Sequence, residues 1–293
     1  MGAQLLAERH GPVLLLQLSN PGARNALHPD MYRSGSAALQ QAGQDASIRA
    51  VVIAGHGEHF CAGGNLNRLR DNRSKDPSNQ RASIDQMHEW ITAIRECPKP
   101  VIAAVEGAAA GAGFSLVMAC DQIIAADNAR FIMAYIKVGL TPDGGGTFFL
   151  GTRLPYQTAY ELIARGQPIG AARLHAMGVV NEVCPAGSAL ATALTRAAEL
   201  ADGPAFALGR CKSLLAASER DTLAHQLVRE RENFVAALFH ADAGEGMDAF
   251  LGKRPPRFNA PAPDSAPDSA HDSSRDSAHE AARDPADGSA NER

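Results

Sequence analysis

Three stretches hold residues whose types and spacing can do chemistry. In KVGLTPDGGGT (137–147), Asp143 stands between Pro142 and three glycines. An acid beside glycine often just closes a turn. The functional alternative is a carboxylate held on a tight loop facing a ligand, with Phe148 and Phe149 as an apolar wall. In GAAAGAGFSLVMACD (107–121), small residues run straight into an apolar helix. Free N–H groups at such a helix start, at the positive end of its dipole, stabilise a developing oxyanion. A buried helix that needs small residues for close packing has the same composition. In GEHFCAGGNL (57–66), a glycine-rich turn follows a buried strand. It presents backbone N–H groups at the strand's carboxyl end, where open α/β folds place ligands, although a plain strand-to-helix turn reads the same way.

Other chemistry is weaker. His56 and His59 have an HxxH spacing but lie in a loop with no third ligand in view, so no metal site is expected. The glycines of 107–113 do not match GxGxxG, and no nearby acid is placed for a ribose, which removes a dinucleotide fingerprint. Arg24 in the first loop and KRPPRF (253–258) at the end of the folded part offer cations for phosphates. Exposed cations are usually only solvated surface.

These stretches need elements to position them. Residues 11–19 read as a strand, 30–43 as a helix, and RAVVIAG (49–55) as a buried strand. Met87, Ile91 and Ile94 repeat on a helix that Pro98 and Pro100 stop. KPVIAAVEG (99–107) is another buried strand, AAAGAG a loop, FSLVMAC a short helix and DQIIAA a strand. Strand, crossover helix and strand recur, so an α/β core is expected. After about residue 153 the pattern turns helical. Leu223, Leu227, Phe234 and Leu238 mark one face of a long helix, a stripe of the kind often buried against a partner subunit. The expected organisation is a core over 1–200, a helical oligomerisation region over 201–260, and an Asp/Ser/Ala/Pro-rich tail over 261–293. That tail has no Val, Ile, Leu or aromatic residue and reads as disordered.

Composition narrows the classes. The 293 residues carry a formal net charge of −4, which disfavours a general nucleic-acid binder. No apolar run reaches the roughly 18–20 residues of a membrane span. The N-terminal stretch, with acidic Glu8, reads as a first strand and not as a signal peptide. Five widely spaced cysteines without a CxxC pair fit reduced thiols in a cytoplasm.

Together, NPGARNAL, FCAGGNL, KPVIAAVEGAAAGAGFSLVMACD and VGLTPDGGGTFFL resemble, in order and spacing across residues 10–258, the crotonase superfamily of enoyl-CoA hydratases and isomerases. The resemblance implies an α/β fold of ββα units forming a spiral, with a helical C-terminal region that builds trimers or dimers of trimers. It implies an acyl-CoA substrate and no separate cofactor, since coenzyme A is part of the substrate. Neither nucleic acid nor a membrane is expected as a partner. The N–H groups of Ala62 and Ala112 would hold the thioester oxygen, with Gly64, Asn65 and Gly111 beside the substrate. Arg24 would lie near the nucleotide end of coenzyme A. Phe250 and Lys253 would contact coenzyme A, often from a neighbouring subunit.

The departures from the family's pattern shape the expected reaction. Enoyl-CoA hydratases of this family use two glutamates to position and activate water, and those positions fall here on Ser115 and Tyr135. Neither is a carboxylate base at neutral pH, so a two-glutamate hydration is not expected. Asp143 matches the position where dienoyl-CoA isomerases, a group of enoyl-CoA isomerases and ring-epoxide isomerases of phenylacetyl-CoA breakdown carry their acid. The expected activity is therefore isomerisation, of double-bond or ring-epoxide type, with Asp143 as acid and base. A hydratase, an acyl-CoA hydrolase and a weakly catalytic acyl-CoA-binding protein are the alternatives. A dehalogenase resembling that of chlorobenzoyl-CoA is disfavoured, because no Trp occurs in the strand before the Asp143 loop and the sole Trp is Trp90. Met87, Trp90, Ile91, Tyr135, Phe148 and Phe149 are candidates for an acyl pocket and equally for core.

Overall fold

The apolar runs AVVIAG and VIAAV form the middle of a sheet that is covered on both faces. The computed structural model describes residues 2–259, which gather into one unit. The first half of the chain runs β1 (Gln4–His10), β2 (Val13–Ser19), α1 (Pro29–Gln44), β3 (Ala50–Gly55), α2 (Leu66–Asn72), α3 (Pro77–Glu96), β4 (Val101–Val105), β5 (Ala108–Ala110) and α4 (Ala112–Ala119). It continues with β6 (Gln122–Ala126), β7 (Arg130–Ile132), α5 (Gly146–Arg153), α6 (Tyr156–Arg165), β8 (Ile169–Gly170), α7 (Ala171–Ala176), β9 (Glu182–Cys184) and α8 (Ala189–Ala201). Three helices close it: α9 (Ala205–Ser218), α10 (Leu223–Leu238) and α11 (Ala241–Leu251).

The main sheet has the order β1-β2-β3-β4-β6-β9. Only the β1–β2 hairpin is antiparallel; the other neighbours run parallel. Alternation along each strand sends side chains to opposite faces. Val51, Ile53, Val101, Ala103 and Val105 join a core with Leu39 of α1, Trp90 and Ile94 of α3, and Phe114 of α4. Ala50, Val52, Ala54, Ile102 and Ala104 face the other way. There they meet Ala189, Ala193, Ala197 and Ala201, a stripe repeating every four residues along α8. Because both faces are covered, the central strands read as continuous apolar runs.

A second, three-stranded sheet, β5-β7-β8, stands beyond the carboxyl end of β4. Residues expected as a loop (AAAGAG) thus supply β5, which pairs in parallel with β7. The expected FSLVMAC helix begins two residues earlier, at Ala112. β1 was not legible as a strand of its own, because its QLLAERH lies on the sheet edge, mostly exposed, and lacks alternation. The region after residue 153 is not purely helical either, since β9 adds the last parallel strand to the main sheet. Both β8 and β9 are too short, at two and three residues, to show a period.

The C-terminal helices stand partly apart. No residue of α9 or α10 is buried, and Leu223, Leu227, Phe234 and Leu238 form an exposed apolar stripe. The region is tied to the core by Lys212 of α9, whose Nζ lies 2.7 Å from an Asp121 carboxylate oxygen and donates to the carbonyls of Ile94 and Lys99. The tail expected over 261–293 lies outside the described residues.

Candidate active site

Backbone pairing builds one half of the site. The segment after β3 runs alongside β5: the Cys61 N–H donates to the Ala108 carbonyl and the Ala110 N–H to the Cys61 carbonyl. On its other side lies the NPGARNAL loop, which supplies the Leu27 N–H to the Gly63 carbonyl at 2.8 Å. Asn25, buried and in a left-handed conformation, locks that loop down. Its side-chain N–H groups donate to the carbonyls of His56 and His59, and its Oδ1 accepts from the Asn20 N–H. His59 is used structurally as well, its Nδ1 accepting from the Ala108 N–H at 3.3 Å.

This sandwich decides which donors are free. The Ala62 N–H donates to the Arg24 carbonyl at 3.0 Å, which removes it from the pair of donors expected for the thioester oxygen. The Gly63 N–H points to the Cys61 sulfur. Among the described residues, the Gly64 N–H has no partner. Neither has that of Ala112, the first residue of α4, whose cap Gly111 offers no side chain. The two unpaired donors are neighbours, because Gly63 is pressed against the start of α4. A Cβ on Gly63 would lie 2.6 Å from the Ala110 carbonyl oxygen and 3.5 Å from the Ala112 nitrogen, and its φ of +89° favours glycine in any case. Gly113 is equally confined, with the Cys61 side chain under 3.0 Å from a virtual Cβ.

The acid loop forms the other half. Asp143 is followed by Gly144 at φ +58°, where a Cβ would collide with the Met87 methyl group. The Asp143 carbonyl accepts from Ser115 Oγ at 2.9 Å and from the Gly146 N–H at 3.1 Å. Its carboxylate Oδ1 accepts a 2.5 Å hydrogen bond from the Tyr135 hydroxyl. Burial, and then the Asp143 charge, push the Tyr135 phenol far above its ordinary range, so it remains a donor. The two positions at which the sequence departs from the hydratase pattern, Ser115 and Tyr135, therefore both converge on Asp143. Ser115 is fully buried and contributes by tying the loop to α4.

These groups face a cavity of about 340 Å³ lined by Ala62, Gly63, Gly64, Gly111, Ala112, Tyr135 and Asp143 together with residues of α1, α2 and α3. Among the described residues, Asp143 is the only carboxylate in that lining. Of the acyl-pocket candidates, Met87 and Tyr135 line the cavity. Trp90, Ile91 and Phe149 are core, and Phe148 is largely exposed elsewhere. Asn65 caps α2, accepting from the Arg68 N–H. Arg24, in a left-handed conformation, meets the site through its carbonyl. Phe250, 84% exposed, and Lys253 lie at the end of α11 and do not line this chain's cavity. Tyr32, Arg68, Gln80 and Ser83 do line it. None was legible as a site residue, because each sits in an ordinary helical pattern and is brought in only by helix packing. Cys61 is no nucleophile at neutral pH, since burial pushes its thiol up to about 12. Among the described residues, no helix is long and apolar enough to cross a membrane.

Two unpaired backbone donors and a carboxylate thus line one partly enclosed, mainly apolar cavity, an arrangement able to hold an activated carbonyl beside a base. Residues 8–261 match the Enoyl-CoA hydratase/isomerase family. A 1,2-epoxyphenylacetyl-CoA isomerase of Escherichia coli is 36% identical over 84% of this chain and 94% of its own. A 2,3-dehydroadipyl-CoA hydratase of the same organism is 35% identical over 87% and 98%. The crystal structure of an enoyl-CoA hydratase from Polaromonas superposes with a TM-score of 0.86, at 50% identity, covering 87% of this chain and 99% of that one. The chain belongs to the enoyl-CoA hydratase/isomerase family, has the crotonase fold, and is an enzyme acting on acyl-CoA thioesters.

The Tyr135 contact yields a prediction. A phenol that donates to the Asp143 carboxylate orients it, so Tyr135→Phe should lower turnover more than it weakens substrate binding. Turnover at neutral pH should fall by about tenfold, in line with loss of one hydrogen bond to a charged group. Steady-state kinetics on whichever acyl-CoA the enzyme turns over checks this; unchanged turnover would rule the contact out as functional.

Proposed function

We propose that the chain is an enoyl-CoA isomerase, moving a double bond or opening a ring epoxide in an acyl-CoA, with Asp143 as its acid and base. The observation that carries this reading is that Ser115 and Tyr135 are both committed to holding Asp143, the only carboxylate in the cavity among the described residues. In the proposed reaction the thioester oxygen sits between the N–H groups of Gly64 and Ala112. Negative charge then develops where donors already wait, an effect of about 3–4 kcal/mol per donor. Asp143 takes a proton from the carbon skeleton and returns it at another carbon. One carboxylate shuttling one proton suits isomerisation, whereas hydration also needs a held water. Coenzyme A enters only as part of the substrate, and the cytoplasm is the proposed compartment.

The test is a panel of 3-enoyl, 2-enoyl, dienoyl and ring-epoxide phenylacetyl-CoA thioesters with mass spectrometry of the products. A product of unchanged mass and altered retention is expected, and Asp143→Asn should lower its rate by at least about 100-fold. A gain of one water would instead make the enzyme a hydratase, the activity of several relatives of similar identity, and release of a free thiol would make it a hydrolase.

We also propose assembly into trimers or dimers of trimers through the C-terminal helices. Supporting this, α10, α11 and the turn between them expose Leu223, Phe234, Phe239, Phe250 and Leu251, more apolar surface than a monomer usually leaves in water. Light scattering should return three or six chain masses; a monomer mass would contradict it.

A further inference from the structure

One charge in the cavity has no part in the proposed proton transfer. Arg68, on α2, lines the same space as Asp143, Gly64 and Ala112. Its Nη1 donates to Ser83 Oγ at 2.9 Å. Its Nε is buried without a partner. Among the described residues no carboxylate lies within ion-pair distance of it. The Tyr32 hydroxyl on the same wall lies against the Arg68 guanidinium, and Gln80 stands one turn before Ser83 on α3. Apolar side chains fill much of the remaining wall: Leu66, Leu69, Ile84, Met87, Val138 and Leu140.

A half-buried guanidinium whose partners are the neutral hydroxyls of Ser83 and Tyr32 has lost water without gaining a counter-charge, which is costly unless a ligand supplies one. Its planar fork matches a carboxylate in two-point geometry. The ligand's anion cannot be the developing enolate in the proposed reaction, because two backbone donors are already free for that oxygen. We infer that the acyl group carries a second, distal carboxylate, so that the substrate is the monothioester of an unsaturated dicarboxylic acid whose free end is held by Arg68 with Ser83 and Tyr32. Apolar side chains between the two ends accommodate the carbon chain. Arg68 is then a specificity-determining residue, and a hydrocarbon-ended acyl chain leaves its charge unpaired. This substrate class rests on the reading of the cavity as the acyl site.

The experiment compares binding and turnover separately. Calorimetry with saturated acyl-CoAs of matched length, one ending in methyl, one in carboxylate and one in the methyl ester of that carboxylate, reads recognition without chemistry. Wild-type protein is expected to bind the carboxylate-ended thioester about 10- to 100-fold more tightly than either neutral one, the range of a hydrogen-bonded ion pair. Arg68→Gln should bring the three affinities together while leaving the methyl-ended thioester within about twofold, and Arg68→Lys should restore part of the preference. Equal wild-type affinity for all three would overturn the proposal. So would an equal loss for all three in Arg68→Gln, which would place Arg68 against a phosphate of coenzyme A or in the fold. Full turnover by Asp143→Asn would defeat the isomerase mechanism while leaving the binding preference intact, so the two failures are distinguishable.

Discussion

Two backbone N–H groups left without acceptors, at Gly64 and Ala112, are the constraint to which the surrounding structure conforms. A buried peptide donor without a partner is destabilising, so the chain must hold these two open with pairing on every side. It does so by clamping residues 61–64 between the NPGARNAL loop and β5, where, among the described residues, the N–H groups of Cys61, Ala62 and Gly63 find acceptors and that of Gly64 does not, and by setting Ala112 at the start of α4. The clamp demands close approach. Gly63 cannot carry a Cβ beneath the Ala110 carbonyl, and Gly113 cannot carry one against Cys61. The alanines and glycines of 107–113 thus satisfy both readings that their composition allows. They pack α4 tightly, and by packing it tightly they bring its first N–H beside that of Gly64.

The acid loop depends on the same helix. Ser115, on the second turn of α4, fixes the Asp143 carbonyl, and Tyr135 holds one carboxylate oxygen. A change that shifts α4 would therefore disturb donors and acid together. In the proposed reaction this couples the oxygen that gains charge to the base that removes the proton. With Tyr135 kept protonated by burial and by its neighbour's charge, Asp143 is oriented by a donor that does not compete for the proton.

Much of this was legible in the residues. The continuous apolar runs of β3 and β4 announced a sheet covered on both faces, and the Asp143 loop and the small-residue entry to α4 were both visible as candidate chemistry. What could not be read was which backbone donors stay free. Ala62 is the obvious candidate in a CAGG turn, yet its N–H is taken by the carbonyl of Arg24, a residue 38 positions earlier, and local sequence carries no trace of that pairing. Arg68 and Ser83 were invisible for a related reason. Each is an ordinary polar residue on a helix, and only the packing of α2 against α3 turns them toward the cavity. The strands β5, β8 and β9 are too short to display a period, so tertiary pairing alone defines them.

The central claim is that the Gly64 and Ala112 donors stabilise a thioester enolate, and it can be measured without knowing the natural acyl group. Acetoacetyl-CoA carries an acidic carbon and absorbs strongly in the ultraviolet as its enolate. Titrating the protein into acetoacetyl-CoA at neutral pH should raise the enolate band in proportion to the bound fraction, because the two preorganised N–H groups favour the ionised form. Binding that leaves the band unchanged would contradict the account, since it would mean that the cavity accepts the thioester without stabilising its enolate.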